Sequence, residues 1–413
     1  MTRAETIAAN LAWEQKRHAE SKTLGPKQKD HYRLWQSEAS PFSYKVAAFM
    51  NYKAIPYKKV AANMMEVEWL INVAGQSIIP VMLSPDDQVM QDSTPMMRFL
   101  ESEHPAIKTV PNDAKLAFIM WLIEEFSDEY MPRICMYTRW GNEQNRRAVS
   151  HRIARTLVFA SLDTEVKDIA PMLVKRQTGF DVHLGLSGNE VRKSMDEQID
   201  ALLSILEEHF KHYQFLLGFR PSMADFALYG ALKVHLYEDP QSREIMETKG
   251  PRTCDWLLTI ADFGDMRGCA GQTEFGDWVD LEGGVPRSLQ ALLGFIGQTY
   301  IPFAKGCAEA SLKKSKTFQA EIFGVNAVFS THQYRVWSFE QLQLNYDAIA
   351  DIEKTQLGGV LAEAQVMPAL MENGIFHNGL FDGFTPPFIK DGIPDARIKH
   401  VREKAASSRA GGS

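Results

Sequence analysis

The sequence is poor in cysteine and in long apolar runs. Its 413 residues include only four cysteines, which stand far apart with no Cys-x-x-Cys pair and no histidine cluster at zinc spacing. We therefore expect no metal site, and we expect a reducing compartment, the cytoplasm. The longest apolar run, Ala117 to Ile123, is too short to span a bilayer, so we expect no membrane span.

An excess of positive charge is also missing. Lysine and arginine total 45 against 52 aspartates and glutamates, which gives a net charge of −7. Because nucleic-acid binding depends on basic side chains that neutralise phosphates, we expect no nucleic-acid partner. The glycine-rich phosphate loops and the HExxH and GxSxG motifs are absent too. A small-molecule ligand fits this composition better.

The hydrophobic content, 45%, is enough for two or three domains in a chain of this length. Residues 1–30 are polar and predict an N-terminal extension. Within residues 31–106, alternating and helix-spaced apolar residues predict the order β-α-β-α-β-β-α. This order is the thioredoxin-like arrangement, so the first domain is predicted to be α/β.

The pattern changes after His104-Pro105. Residues 112–310 have helical spacing almost throughout and predict an all-α domain. One long helix is expected from Ala114 to Trp140, kinked or ended early by Pro132. Residues 311–413 exceed these two domains and are expected to form a C-terminal extension, aromatic-rich between 320 and 350, with a mobile tail.

Three short segments stand at junctions of the predicted first domain. Ser40-Pro41-Phe42 precedes the first helix, Ile79-Pro80 opens a strand, and Asp92-Ser93 precedes the third helix. Each has an ordinary structural explanation, because serine and aspartate are preferred helix caps and proline is allowed at the first position of a helix or strand. In the helical region, Ser222 and Asp225 fit a capping box.

Together, in this order, the four segments resemble the cytosolic glutathione S-transferase superfamily over roughly residues 30–240. The resemblance implies a thioredoxin-like glutathione-binding domain followed by an all-helical domain. It also implies glutathione as co-substrate, and a homodimer in which the first domain of one subunit meets the helical domain of the other. The last 170 or so residues exceed what a standard member needs.

The resemblance assigns a glutathione site to the first domain. Ile79, before a cis Pro80, would pair its backbone with the cysteinyl residue of glutathione. Asp92 would meet the γ-glutamyl ammonium group, and Ser93 would hold the γ-glutamyl carboxylate at the start of a helix. A trans proline and a plain helix cap are the alternatives.

Ser40 aligns with the thiol-activating position of both serine-using and cysteine-using classes. A hydroxyl at a helix N-terminus can donate to a thiolate, although Ser40 could instead only cap the helix. Since the loop carries neither cysteine nor tyrosine, the resemblance favours thioether formation, cleavage or isomerisation of an apolar electrophile over disulfide exchange. The alternative function is a non-catalytic binding or interaction protein on the same fold.

The pocket for the electrophile is expected, by analogy alone, where the first long helix of the second domain ends. The residues there are Tyr130, Tyr137, Arg139 and Trp140. Packing and surface roles are the alternative for all four.

Overall fold

The computed structural model describes residues 31–63, 70, 78–86, 88–158, 163–263, 276–371 and 389–390. The first domain begins with a strand at Tyr32. The strands are β1 (Tyr32–Gln36), β2 (Tyr57–Ala61), β3 (Val81–Leu83), β4 (Val89–Gln91), β5 (Thr317–Ile322), β6 (Val325–Ser330) and β7 (Ile389–Lys390). The helices are α1 (Pro41–Tyr52), α2 (Ser93–Glu103), α3 (Ala114–Glu129), α4 (Met131–Gly141), α5 (Glu143–Val158), α6 (Asp163–Thr178), α7 (Asn189–His209), α8 (Met223–Leu232), α9 (Pro240–Lys249), α10 (Pro251–Asp262), α11 (Arg287–Leu312), α12 (Gln333–Asp347), α13 (Asp351–Glu363) and α14 (Met367–Met371).

The first domain is built on a sheet with the strand order β2-β1-β3-β4-β7. β1 and β2 are parallel, and the other neighbours are antiparallel. With α1 and α2, this is the predicted thioredoxin-like arrangement. The helix predicted between β2 and β3 lies outside the described residues except for Leu70, which is helical and buried.

The strand register fixes which loops lie together. Trp35 at the end of β1 pairs with Val81 at the start of β3, and Val81 pairs with Gln91 at the end of β4. The loop after β1, the residues before β3 and the first turn of α2 therefore meet at one end of the sheet. All three predicted glutathione segments lie in these stretches.

The second domain is helical, as predicted, from α3 to α11. The expected long helix is two helices, α3 and α4, with Tyr130 between them and Pro132 in the first turn of α4. A proline is tolerated in a first turn because its missing N–H has no intrahelical partner there. The predicted capping box at Ser222 and Asp225 is present and begins α8.

Helix α8 joins the two domains. It packs against both α1 and α3. A Cβ built on Gly230 of α8 would lie 2.4 Å from the Pro41 carbonyl oxygen and 3.2 Å from Lys45 Cβ, both on α1. Only glycine therefore permits this approach to the first turn of α1.

The C-terminal extension contains structure that the sequence reasoning missed. β5 and β6 form an antiparallel hairpin whose Phe318 and Phe329 rings stack at 5.2 Å. α12 follows and packs against α3 and α11. The predicted mobile tail lies outside the described residues, apart from Ile389–Lys390, which pairs with β4. Among the described residues no helix has the length and apolar character needed to cross a membrane.

Candidate active site

Ser40 is the N-cap of α1. Its Oγ accepts a hydrogen bond from the Ser43 backbone N–H at 3.3 Å, and its side chain is partly exposed. The neighbouring hydroxyls stabilise the same loop, since Ser37 Oγ accepts from the Ala39 N–H and Ser43 Oγ accepts from the Ser37 N–H. The cap uses an acceptor lone pair of Ser40, so its O–H can still act as a donor. Capping and thiolate binding are therefore compatible in one side chain.

A buried ion pair of the helical domain supports this loop. Arg139 forms a bidentate pair with Asp239, with Nε–Oδ2 at 2.8 Å and Nη2–Oδ1 at 3.0 Å. The same guanidinium donates to the Val234 carbonyl and, from Nη1, to the Ala39 carbonyl at 3.0 Å. Arg139 and Asp239 are both buried. The backbone directly before Ser40 is thus fixed by a planar five-donor group.

The second predicted segment, Ile79-Pro80, lies directly before β3. The Ile79–Pro80 peptide bond is cis, Ile79 is partly buried and Pro80 is buried. Val81, which follows, pairs with Trp35 of β1. Ile79 therefore lies beside the end of β1, from which the Ser40 loop departs.

The third segment caps α2. Asp92 has φ 75° and ψ 138°, a backbone region that is costly for any residue other than glycine and that concentrates at functional sites. Its carboxylate accepts from the Thr94 N–H at 3.4 Å and from the hydroxyl of Tyr334 on α12. Burial raises the pKa of Asp92. Ser93 is buried, and its hydroxyl donates to Asp128 at 3.3 Å.

A buried lysine links α1, α2 and α3 behind these residues. Lys45 Nζ lies 2.6 Å from both Glu124 Oε1 and Asp128 Oδ2 and 3.0 Å from Thr94 Oγ1. Burial alone would lower the pKa of Lys45, but the two carboxylates outweigh it and raise that pKa. Burial raises the pKa of Asp128 to about 7, with Lys45 opposing. Sequence reasoning missed this network, although one signal was present: a lysine inside the apolar stretch of α1.

Two further acids of α3 face the C-terminal extension. Glu125 accepts from Tyr300 at 2.8 Å and from Ser338 at 2.5 Å, and burial raises its pKa to about 8. Glu129 lies 3.4 Å from Arg335, and burial raises its pKa well above the ordinary value. The last two turns of α3 therefore carry more buried carboxyl groups than neighbouring cations neutralise.

The four residues expected to form the electrophile pocket are integrated into the helical domain. Tyr130 is buried and donates to Gln198 at 2.5 Å. Trp140 is buried, Arg139 supports the Ser40 loop, and the more exposed Tyr137 donates to Asp196 at 2.8 Å. None of the four lines the large cavity between α2, α3 and α12.

Two protein-family models match the chain, one after the other. Residues 39–103 match the glutathione S-transferase N-terminal domain, and residues 162–262 match the glutathione S-transferase C-terminal domain. The first match includes Ser40, the cis Pro80 and Asp92-Ser93, and the second includes the capping box of α8. These two stretches of the chain carry the N-terminal and C-terminal domains of the glutathione S-transferase superfamily. The predicted fold class and recognition are thereby confirmed.

Three similar proteins have low sequence identity to the chain. The chain is 19% identical over 157 residues to glutathione S-transferase omega-1 of Sus scrofa, a match that spans 38% of this chain and 61% of the relative. A solved β-etherase, LigF of Sphingobium sp., is 17% identical, with 57% of this chain and 98% of that chain covered and a TM-score of 0.42. The glutathione transferase URE2P6 of Phanerochaete chrysosporium, solved with oxidised glutathione, is 13% identical, with coverages of 58% and 98% and a TM-score of 0.36.

Proposed function

We propose that the protein is a glutathione-dependent transferase, or a lyase or isomerase of the same chemistry, that acts on an apolar electrophilic small molecule. One observation carries the proposal: the strand register gathers Ser40, Ile79-Pro80 and Asp92-Ser93 at one end of the sheet. β-Strand pairing is a common way to bind an extended peptide, and glutathione is a tripeptide.

The chemistry follows from the position of each group. Ile79 offers backbone pairing to the cysteinyl residue, while Asp92 offers a carboxylate to the γ-glutamyl ammonium group. At the start of α2 the Thr94 N–H already donates to Asp92 and Pro95 has no N–H, which leaves the Ser93 N–H as the backbone donor offered to the γ-glutamyl carboxylate. Ser40 would then donate to the glutathione sulfur at the start of α1, where the helix dipole favours negative charge.

Ser40 would act on the thiol pKa. Lowering that pKa from about 8.5 to about 6.5 corresponds to about 2.7 kcal/mol and converts a minority of thiolate into a majority at neutral pH. The thiolate attacks the electrophilic carbon, a carbon–sulfur bond forms, and the leaving group departs with its electron pair. Ser40 is a hydrogen-bond donor in this step and keeps its proton.

A second candidate is a glutathione-binding or interaction protein without turnover. The contact between Tyr334 and Asp92 favours it, because the C-terminal extension already occupies one face of the carboxylate assigned to glutathione. The Ser93 hydroxyl is likewise engaged by Asp128. Binding without conjugation would distinguish this function from the first.

Titration calorimetry with glutathione tests the site. Asp92→Asn keeps the helix cap and removes the charge, and Ser93→Ala removes the hydroxyl. We expect each to weaken glutathione binding by about 1.5–3 kcal/mol, the usual loss for a hydrogen bond to a charged group. Asp113→Asn is the matched control, since Asp113 caps α3 through the Leu116 N–H at 2.8 Å.

Unchanged affinity in both Asp92→Asn and Ser93→Ala would contradict the assignment. Conjugation of glutathione to 1-chloro-2,4-dinitrobenzene by the unaltered chain then separates the two functions. Measurable conjugation supports the transferase, and tight binding with no conjugation supports the binding protein.

The assembly and the location belong to the same proposal. A homodimer is what superfamily membership suggests, and sedimentation velocity at micromolar concentration tests it, with a monomer alone counting against it. The buried free thiols of Cys135, Cys254 and Cys307 suit a reducing compartment, in support of a cytoplasmic location.

A further inference from the structure

A cavity of about 520 Å³ lies between α2, α3 and α12. This volume is in the range of sites for drug-sized ligands. Its lining includes Phe99, Trp121, Glu124, Tyr334, Trp337 and Gln341. Since α12 belongs to the C-terminal extension, one wall of the cavity is built by the part of the chain that neither family match covers.

The cavity is separate from the position assigned to the glutathione thiol. Ser40 and Pro41 are not among its lining residues. Thr94 and Glu124 line it, and the network that they form with Lys45 and Asp128 lies between the cavity and α1. A ligand here would therefore not meet the thiolate.

The walls are aromatic on both sides. Phe99 comes from α2 and Trp121 from α3, while Tyr334 and Trp337 come from α12. The ring centroids of Tyr334 and Trp337 are 5.6 Å apart. Aromatic rings favour offset or edge contacts with other rings. A planar, largely apolar ligand is therefore the shape that this cavity suits.

The wall already stabilises a cation. The Arg98 guanidinium carbon lies 3.9 Å from the centroid of the Trp121 ring, within the distance of a cation–π contact. Glu124 and Glu125 line the same space. An indole face beside carboxyl groups is a favourable environment for positive charge.

The surroundings have an excess of acid. Five carboxyl groups lie on or next to the walls, on Asp92, Glu124, Glu125, Asp128 and Glu129. The described cations facing them are Lys45, Arg98 and Arg335, and Lys45 is fully enclosed by its own partners. Burial raises the pKa of Glu125 and of Glu129, so an added positive charge nearby would favour the ionised form of these carboxyl groups.

We propose that this cavity binds a planar aromatic molecule that carries a protonated amine, at a site additional to the glutathione site. The ring lies between the α3 and α12 walls, and the ammonium group faces Glu124. The site needs no glutathione, so its test is independent of the transferase proposal.

Titration calorimetry with three probes on the unaltered chain tests this. Tryptamine carries the cation, tryptophol replaces it with a neutral hydroxyl, and indole-3-propionate replaces it with an anion. We expect tryptamine to bind, tryptophol to bind about tenfold more weakly, and indole-3-propionate to bind more weakly still. No binding of tryptamine, or equal binding of either analogue, would overturn the proposal.

Variants locate the site. Trp337→Leu removes an aromatic wall of α12 and should weaken tryptamine binding about tenfold or more. Leu344→Ala is the matched control, because Leu344 is exposed on the same helix and is not part of the lining. Trp121→Leu, on the opposite wall, serves if Trp337→Leu does not fold. A folded variant of either tryptophan that binds tryptamine with full affinity would contradict the location.

Discussion

Arg139 donates from Nη1 to the Ala39 carbonyl oxygen at 3.0 Å, so a buried side chain of the helical domain fixes the backbone next to Ser40. Asp239 holds the other side of the guanidinium. Arg139→Lys keeps the charge but loses the planar fork, and we expect it to reduce the free energy of unfolding by about 1–3 kcal/mol. If Ser40 acts on the thiol, turnover should fall more than glutathione affinity, as kcat and KM would report.

The control for this substitution is another arginine of the helical domain. Arg243 pairs with Glu247 at 2.7 Å on the surface of α9. Because exposed pairs contribute little, Arg243→Lys should change the free energy of unfolding by less than about 0.5 kcal/mol and leave kcat unchanged. Equal effects of the two substitutions would contradict a supporting role for Arg139.

Ser40→Ala should raise the pKa of bound glutathione by about one unit or more, which corresponds to about 1.4 kcal/mol per unit. The physical reason is the loss of the hydroxyl donor to the thiolate. Ultraviolet thiolate absorbance of the complex, measured against pH, gives this pKa. Turnover should fall most near neutral pH, where the thiolate fraction limits the rate.

Ser37 and Ser43 are the controls for Ser40, since both hydroxyls accept backbone hydrogen bonds within the same loop. Their alanine variants should lower stability and leave the thiol pKa in place. The opposite result, in which Ser37→Ala or Ser43→Ala removes the thiolate absorbance and Ser40→Ala does not, would move the catalytic role by three residues.

Gly230→Ala should destabilise the protein by about 1–3 kcal/mol, because its methyl group would overlap the Pro41 carbonyl. Chemical denaturation measures this. Gly359→Ala is the matched control, since Gly359 is exposed in α13 and a Cβ added there would have no neighbouring atom within 4 Å. Helix propensity should make Gly359→Ala neutral or stabilising by up to about 1 kcal/mol.

Stability should fall as the pH rises from about 7 to about 8. Burial raises the pKa of Glu125 to about 8 and that of Asp128 to about 7, well above the values of an unfolded chain. For each of these groups, at pH values between its pKa in the unfolded chain and its raised pKa in the folded state, the folded state binds more protons than the unfolded state. Raising the pH in this interval therefore favours unfolding. The buried histidines, whose pKa is lowered, act in the opposite direction, but mainly below about pH 7.

Thermal unfolding at both pH values checks this. Glu125→Gln keeps a polar group for Tyr300 and Ser338 but cannot ionise, so its Tm should decrease less over the same interval. A Tm that rises from about pH 7 to about pH 8 in the unaltered chain would contradict the prediction.

Patterns in the sequence predicted the structural features that depend on interactions between residues close together in the chain. The order of the first domain, the break near Pro132 and the capping box of Ser222 and Asp225 each depend on residues close together in sequence. The β5–β6 hairpin was missed, although Phe318 and Ile322 alternate with polar neighbours before the Phe323-Gly324 turn. The sequence pattern predicted only an aromatic-rich extension for this region.

The parts of the site that sequence could not predict depend on distant contacts. Lys45 meets Glu124 and Asp128 across about eighty residues, and Tyr334 reaches Asp92 from the extension. Charged residues in apolar helices were visible, but their partners were not, because periodicity identifies a buried face and not what packs on it. The roles of Ser40, Asp92 and Ser93 stay predictions until glutathione binding is measured.

The pairing of β7 with β4 has a consequence for the order of folding during synthesis. Ile389 lies beside Met90, although some three hundred residues separate them in the chain. The amino-terminal sheet therefore acquires its fifth strand only after Ile389 and Lys390 have left the ribosome. Until then the backbone of β4 presents an unpaired edge, the kind of surface on which nascent chains associate with one another.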